Sequence, residues 1–351
     1  MLKLLLNNLR GRGGVSAAPS DVPARQSRFT DRLSLIVPSV AGREMFFERA
    51  LRHFAECAVR WPVLVTDHSG PGRDRNLAAV AARYPALDLR LILHPPEMHF
   101  LERLARCAEA ARTDYVVVHA DDDFMMPAAI EASIAFLEAQ PGFGACKGRM
   151  AFFTMADDGE ARVGRSDGRT RAEETPAARV IRHVASFTPT LYAVHRCELF
   201  IESCRRAIAV TTNVTFWQHL ASCITVARAK LKTLDDVYYL RLNNEIGWRA
   251  QLMARRDPSH WPYLAVAPEL SRELTAFKQA LLELVGGDAL RDALAAELDD
   301  ACLWLLRRAL CEKTREPPEP EENAFLERFN TPGSAEQRHL DYCVRSVRAE
   351  E

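Results

Sequence analysis

The sequence predicts an α/β protein: a doubly wound, mixed sheet dominated by parallel strands, followed by a helical C-terminal extension. Three observations predict it. Between Leu33 and Val118, short apolar runs alternate with segments of helical period. Beyond Trp248 the period is helical alone. The apolar run Tyr115-Val-Val-Val-His-Ala ends in three consecutive carboxylates, Asp121-Asp122-Asp123, where a parallel sheet presents its ligand-binding edge.

The 351 residues allow one large domain or two, and 48% apolar with 26% charged residues is the composition of a soluble globular chain. A net charge of −1 gives no electrostatic footprint for nucleic acid. No stretch approaches the roughly 20 apolar residues of a membrane span. Met1 to Arg10 has too short an apolar core for a signal peptide, leaving at most a peripheral membrane contact. Nine cysteines, an odd number without a Cys-x-x-Cys, fit reduced thiols and a cytoplasmic setting, at most peripheral to the inner face of the membrane.

Residues 1–30, with Gly-Arg-Gly-Gly and Ala-Ala-Pro-Ser, read as a disordered leader. Leu33-Ser-Leu-Ile-Val-Pro38 is the first strand, stopped by its proline. Phe47, Leu51, Phe54 and Ala58 recur at helical spacing. Val63-Leu-Val-Thr-Asp67 is the second strand, a helix through Leu77 and Val80 follows, and Leu89-Arg-Leu-Ile-Leu93 is the third. Phe100, Leu104, Cys107 and Ala111 mark the helix before Tyr115. After Pro127 come a helix through Ile130, Ile134 and Leu137, a strand over 145–153, and a hairpin signal at Asp157-Asp-Gly159. Residues 160–175 are charged enough to read as a surface loop. Thr190–Arg196 reads as a strand, 197–208 and 214–226 as helices, and Lys230–Leu242 as a strand pair turning at Asp235-Asp236. Leu270, Leu274, Phe277 and Leu281, then Leu294, Leu298, Cys302 and Leu305, form the stripes of a helical hairpin around Gly286-Gly287.

Three adjacent carboxylates repel one another unless a cation or hydrogen-bond donors compensate them. Hard divalent ions take oxygen ligands, and Mg²⁺ or Mn²⁺ held by one or two carboxylates completes its shell with phosphate oxygens. The local reading is a metal–diphosphate site, and the alternative is an acidic turn at the start of the next helix. The missing Gly-x-x-x-x-Gly-Lys-Ser/Thr removes a P-loop enzyme, and the missing Gly-x-Gly-x-x-Gly removes a dinucleotide enzyme.

Leu33-Ser-Leu-Ile-Val-Pro-Ser39, Val63–Asp67, Ala120-Asp-Asp-Asp-Phe124 and Phe124-Met-Met-Pro127, in this order, resemble the family 2 glycosyltransferases of bacterial polysaccharide biosynthesis. The resemblance covers residues 31–245, best in its first half, and leaves 246–351 as a helical extension. It implies a GT-A fold and inverting transfer of a sugar from a nucleotide-diphosphate donor to a hydroxyl of a glycan, lipid-linked or protein acceptor. Among donors a UDP-sugar is favoured, with Mn²⁺ or Mg²⁺ as cofactor. It places Pro38, Ser39, Arg43 and Asp67 at the nucleotide, Asp121 at metal and diphosphate, and Asp123 at the metal. Asp122 adds a third option for the ligand. Arg241 with Trp248-Arg249 is either a basic, aromatic lid or, for Arg241, part of a structural ion pair. His195 and Arg196 either face the acceptor or belong to the core.

The resemblance also implies a catalytic carboxylate near a helix start in the second half, yet Thr211-Thr-Asn-Val-Thr-Phe-Trp-Gln-His219 holds no acid. His219, which can titrate near neutrality, therefore heads the base candidates with Asp122 and Asp236. Two other readings stay open. A nucleotidyltransferase would bring a Gly-rich, basic loop after the first strand, where Pro38–Arg43 is sparse. A nucleotide-sugar- or glycan-binding protein would need no base at all.

Overall fold

In β1 (Leu33–Pro38) Leu33, Leu35 and Val37 enter one apolar core and Ile36 the other, because successive strand side chains point to opposite faces. The same division holds in β2 (Val63–Asp67), with Val63 and Val65 against Leu64, and in β4 (Tyr115–Val118), with Tyr115 and Val117 against Val116 and Val118. Buried on both faces, these strands read as continuous apolar runs and pair in parallel. The structure, a computed structural model, describes residues 29–67, 70, 72–155, 161–212, 214–242, 268–285, 295–298 and 320–348.

The remaining strands are β3 (Leu89–Leu93), β5 (Phe124–Met125), β6 (Phe143–Met155), β7 (Ala161–Asp167), β8 (Val194–Arg196) and β9 (Lys230–Leu242). The sheet runs β3-β2-β1-β4-β8-β6-β9-β5, with β7 paired to β6 off this path. Helices α1 (Glu44–Glu56), α2 (Arg73–Ala81) and α4 (Pro127–Ala139) supply side chains to the first core. Helices α3 (Phe100–Ala111), α5 (Pro176–Ala185), α6 (Cys197–Val210) and α7 (Val214–Arg228) supply the second. This is the doubly wound mixed α/β architecture expected from the sequence.

The later segments divide between the two faces. Helix α8 (Pro268–Val285) adds Phe277, Leu281 and Val285 to the second core. Helix α9 (Pro320–Glu327), a 3₁₀ turn (Arg328–Asn330) and α10 (Ala335–Arg348) add Phe325, Phe329, Leu340, Tyr342 and Cys343 to the first. Among the described residues no helix is long and apolar enough to cross a membrane, and the cysteines are free thiols. The leader expected over 1–30 lies outside the described residues up to 28, as do Gly286-Gly287 and most of the second stripe of the helical hairpin.

Three local expectations change. Residues 161–167, expected in a surface loop, form β7 in antiparallel register with β6, from Met155↔Ala161 to Met150↔Asp167. An off-path strand that exposes one face accommodates charge that an interior strand would not. Lys230–Leu242 is one strand, not a pair: its register to β6 slips between Thr233 and Val237, so Asp235-Asp236 sits at a bulge. Gly148 permits this, since a Cβ there would lie 2.5 Å from the Asp236 carbonyl oxygen. Of Thr190–Arg196, only Val194–Arg196 is strand; Ala193 N–H closes a turn onto Thr190 O at 2.8 Å.

Candidate active site

β1 pairs with β2 on one side and β4 on the other. The chain runs outward from β1 through β2 to β3 and returns through α3 to β4 on the far side of β1, so the order reverses between β1 and β4 and opens a crevice at their carboxyl ends. Ser39 follows β1, its N–H bonded to Thr66 O at 2.8 Å; His119 follows β4, its N–H bonded to Ile36 O at 2.9 Å. The acidic turn begins two residues after His119, at Asp121.

Arg43, immediately before α1, bridges the crevice. Its Nε donates to Asp121 Oδ2 at 2.9 Å, and its Nη2 donates to Asp121 Oδ1 at 2.7 Å. The same Nη2 lies 2.8 Å from Asp122 Oδ2. Side-chain exposure is 7% for Arg43, 8% for Asp121 and 15% for Asp122, so the pairing is largely desolvated. Burial alone would push Arg43 down, but the two carboxylates more than offset it and hold the guanidinium above its ordinary value. Burial likewise pushes Asp121 up, against the opposing pull of Arg43. Nη1 of Arg43 is buried and meets no acceptor among the described residues.

The third acid has a different partner. Arg241 Nε donates to Asp123 Oδ2 at 3.1 Å, and Leu242 N–H donates to Oδ1 at 3.2 Å. Arg241 lies near the rings of Phe152 and Tyr192, at 5.4 and 5.2 Å. Burial raises the Asp123 carboxyl to about 8 despite Arg241, with Asp122 adding like-charge repulsion. Tyr239 Oη accepts from Ala120 N–H at 2.8 Å, which fixes the entry to the turn.

Asp67, at the end of β2, is buried, and so is Arg103 of α3. The Asp67 carboxylate partly counters the burial that lowers Arg103. Arg103 Nε and Nη1 have no hydrogen-bond partner among the described residues. Sequence reasoning missed Arg103, although a signal existed: it lies three residues after Phe100 and four before Cys107, on the buried face of its helix. Tyr192, Tyr239 and Arg49 were missed too. None carried a motif, and their roles arise only from strands and helices meeting in space.

The three base candidates are in different places. Asp122 is in the turn. Asp236 is exposed at the β9 bulge, whose neighbour Asp235 pairs with Arg149 and Arg328. His219, half-buried on α7, stacks on Phe187 with ring centroids 3.9 Å apart. Five residues connect Phe187 to Tyr192 at the Arg241 end of the site, a span of at most about 18 Å. At the C-cap of α6, Thr211 Oγ1 donates to Glu273 Oε2 of α8 at 2.5 Å. An acid from α8 thus reaches the first residue of the acid-free segment 211–219. His195 is buried with Nε2 donating to Thr190 O at 2.7 Å, and Arg196 caps Phe143 O and Leu137 O, so both lie within the framework. Trp248-Arg249 lies outside the described residues.

Among the described residues no group of three or more His, Cys, Asp or Glu side chains forms an all-protein metal cage. The acidic turn nonetheless suits Mg²⁺ or Mn²⁺: its donors are carboxylate oxygens, and such an ion needs only one or two of them when phosphates fill its shell.

No family model matches this sequence, and no curated protein matches it. Among solved structures, the S. aureus TarS 1-349 crystal structure is 14% identical and covers 80% of this chain and 90% of its own, with a TM-score of 0.45. The same TarS segment in complex with UDP-GlcNAc is 15% identical over the same shares, also at 0.45. The mannosyltransferase PcManGT from Pyrobaculum calidifontis, in complex with GDP-Man and Mn2+, is 15% identical and covers 97% of this chain and 90% of its own, at 0.44. The chemistry of the site rests on its own side chains.

Proposed function

We propose that this protein is a glycosyltransferase that moves a sugar from a nucleotide-diphosphate donor to a hydroxyl of a glycan, lipid-linked or protein acceptor. The observation that carries the reading is the acidic turn Asp121–Asp123 at the sheet's switch point, held between Arg43 and Arg241. In this reading residues 31–245 form the catalytic unit. Pro38, Ser39 and Asp67 receive the nucleotide, with uridine the expected base, and Arg103 stands beside Asp67 to complete that corner. Asp121 and Asp123 would hold Mn²⁺ or Mg²⁺, which when bound supplies positive charge to the diphosphate. Arg43 and Arg241 orient the acids and offer donors to phosphate oxygens.

Inversion requires one general base on the acceptor hydroxyl. His219, Asp122 and Asp236 remain its candidates, and Glu273 joins them because it meets Thr211, the first residue of the segment 211–219. A nucleotidyltransferase is less well supported, since 38–43 supplies neither the glycines nor the lysine of a triphosphate-binding loop.

A thermal-shift series with UDP, CDP, GDP and ADP, with and without Mn²⁺, tests the reading. A diphosphate at a hundredfold excess over its Kd should stabilise the fold by about 2.7 kcal/mol. The stabilisation should need the metal and be lost in Asp123→Ala. Absence of any nucleotide effect in the wild-type chain would overturn the proposal.

A further inference from the structure

The acidic turn is held from below by Arg43, at the N-cap of α1, and by one stripe of α1 itself. Arg43 takes the Asp121 and Asp122 carboxylates, and Arg49 Nη2 donates to the Asp122 carbonyl at 3.2 Å. One helical turn further, His53 Nε2 donates to the Met125 carbonyl at 2.8 Å. Arg49 and His53 are spaced i, i+4, so they rise from the same face and meet successive points of the turn.

His53 is fixed in its own right. A carbonyl only accepts, so Nε2 carries the ring proton, and burial, which lowers His53 to about 4, keeps the imidazole neutral. Nδ1 then carries the lone pair, with Cys57 Sγ 3.6 Å and the Tyr342 hydroxyl 3.1 Å from it. The single proton of that hydroxyl goes to Glu56 Oε2 at 2.5 Å, so Tyr342 touches Nδ1 without donating to it. Tyr342 belongs to α10, more than two hundred residues away in sequence. Its ring meets those of His53 and Phe124, with centroids 5.5 and 6.4 Å apart. Phe124 directly follows Asp123. Arg52 adds a second tie between the helices, its Nη2 donating to Ser346 O at 3.2 Å.

We propose that Tyr342 is a positioning residue for the acidic turn: tied to Glu56, its ring holds the His53 imidazole in the orientation that locks the Met125 carbonyl. The second residue of a metal or phosphate site's supporting shell acts this way, by restricting the ligand's orientation and not by touching the substrate. Without the hydroxyl the tie to Glu56 is lost, the Tyr342 ring and the imidazole against it are free to turn, and the Met125 carbonyl loses its donor. The turn's strand is short, only Phe124–Met125 against β9. The link to catalysis rests on the function proposed above; the link to the turn does not.

The test compares Tyr342→Phe with Arg328→Ala in the full-length chain. The first removes one oxygen and leaves the ring; the second removes the Asp235 pair from the same C-terminal segment, away from the turn. Amide exchange at Phe124 and Met126 is measured without ligand, and UDP affinity in the presence of Mn²⁺ is measured at a temperature where every variant is folded. Tyr342→Phe should speed exchange at these two amides about tenfold and weaken UDP binding about fivefold. Arg328→Ala should lower the melting temperature and change neither. Unchanged exchange in Tyr342→Phe, or an equal change in Arg328→Ala, would overturn the proposal. If the wild-type chain binds no UDP, the proposed function fails while exchange still decides the role of Tyr342.

Discussion

Removing Arg43 should expose how much of the site's electrostatics is balanced within the protein. Arg43→Met keeps most of the aliphatic volume and takes away the guanidinium that satisfies both oxygens of Asp121 and one of Asp122. Asp121 would then be a carboxylate at 8% side-chain exposure beside another carboxylate. Breaking a buried pair from one side costs about 3–5 kcal/mol, because the remaining charge is left uncompensated. Asp121→Asn should cost less, about 1.5–3 kcal/mol, since Arg43 retains Asp122 and the amide oxygen still accepts. In the double variant the stranded charge is gone, so the loss should fall short of the sum by about 2 kcal/mol. Urea unfolding of the four proteins at pH 7, without nucleotide or metal, measures the cycle. A loss below about 1 kcal/mol in Arg43→Met, or additivity within about 0.5 kcal/mol, would refute the account of a desolvated, mutually dependent pair.

Acidification should destabilise the protein. His53 and His195 are buried and lowered to about 4, and His119 and His183 are held well below their ordinary value, in each case first by burial. Each contributes stability that is complete above the unfolded value near 6.5 and lost as pH falls towards the folded one, on the order of 3 kcal/mol for His53 or His195. Asp123, raised to about 8, works in the opposite direction between pH 8 and 4, and Asp121, also raised by burial, joins it, but four groups outweigh two. Melting temperatures that stay flat or rise from pH 7 to 5 would contradict this sum. For the base, turnover and donor affinity are measured in His219→Ala, Asp122→Asn, Asp236→Asn and Glu273→Gln. The true base should lose about 10²–10⁴-fold in turnover with donor binding intact, and near-normal turnover in all four would place it elsewhere. Asp67→Ala should flatten the preference for UDP over GDP and ADP in a competition series; unchanged selectivity would remove Asp67 from the nucleobase corner.

The sequence made β1, β2 and β4 legible because strands buried on both faces leave unbroken apolar runs, and parallel pairing needs the helices between them. It made the acidic turn legible for a related reason: three charges directly after such a run are costly unless the edge of the sheet has a use for them. Residues 161–167 were not legible as strand. Their pairing partner is β6, and only Ala161 and Val163 pack against the core, too short an alternation to mark a strand. The bulge at Asp235-Asp236 was mistaken for a turn because an acidic pair marks both, and only the contact with Gly148 distinguishes them. Arg103 and His53 stand on buried helical faces, where a polar residue breaks the stripe. Their partners, Asp67 in one case and Met125 with Tyr342 in the other, lie on other elements, and that part of the signal is absent from any local window.

The charge balance of the site bears on what can bind there. Three carboxylates face two guanidinium groups, so the fully ionised turn is one charge short of neutral. Burial already shifts part of that imbalance onto protons, as the position of Asp123 near 8 shows. A nucleoside diphosphate would bring further negative charge into the same desolvated space, where Coulomb energies are several times those in water. Two sources of compensation are available. A divalent cation on the carboxylate oxygens would convert the cluster from repelling to attracting phosphate. Arg43 would supply the other, because its buried Nη1 still has a proton to give while Nε and Nη2 hold Asp121. The same arginine can therefore fix the acid and touch the phosphate without releasing one for the other.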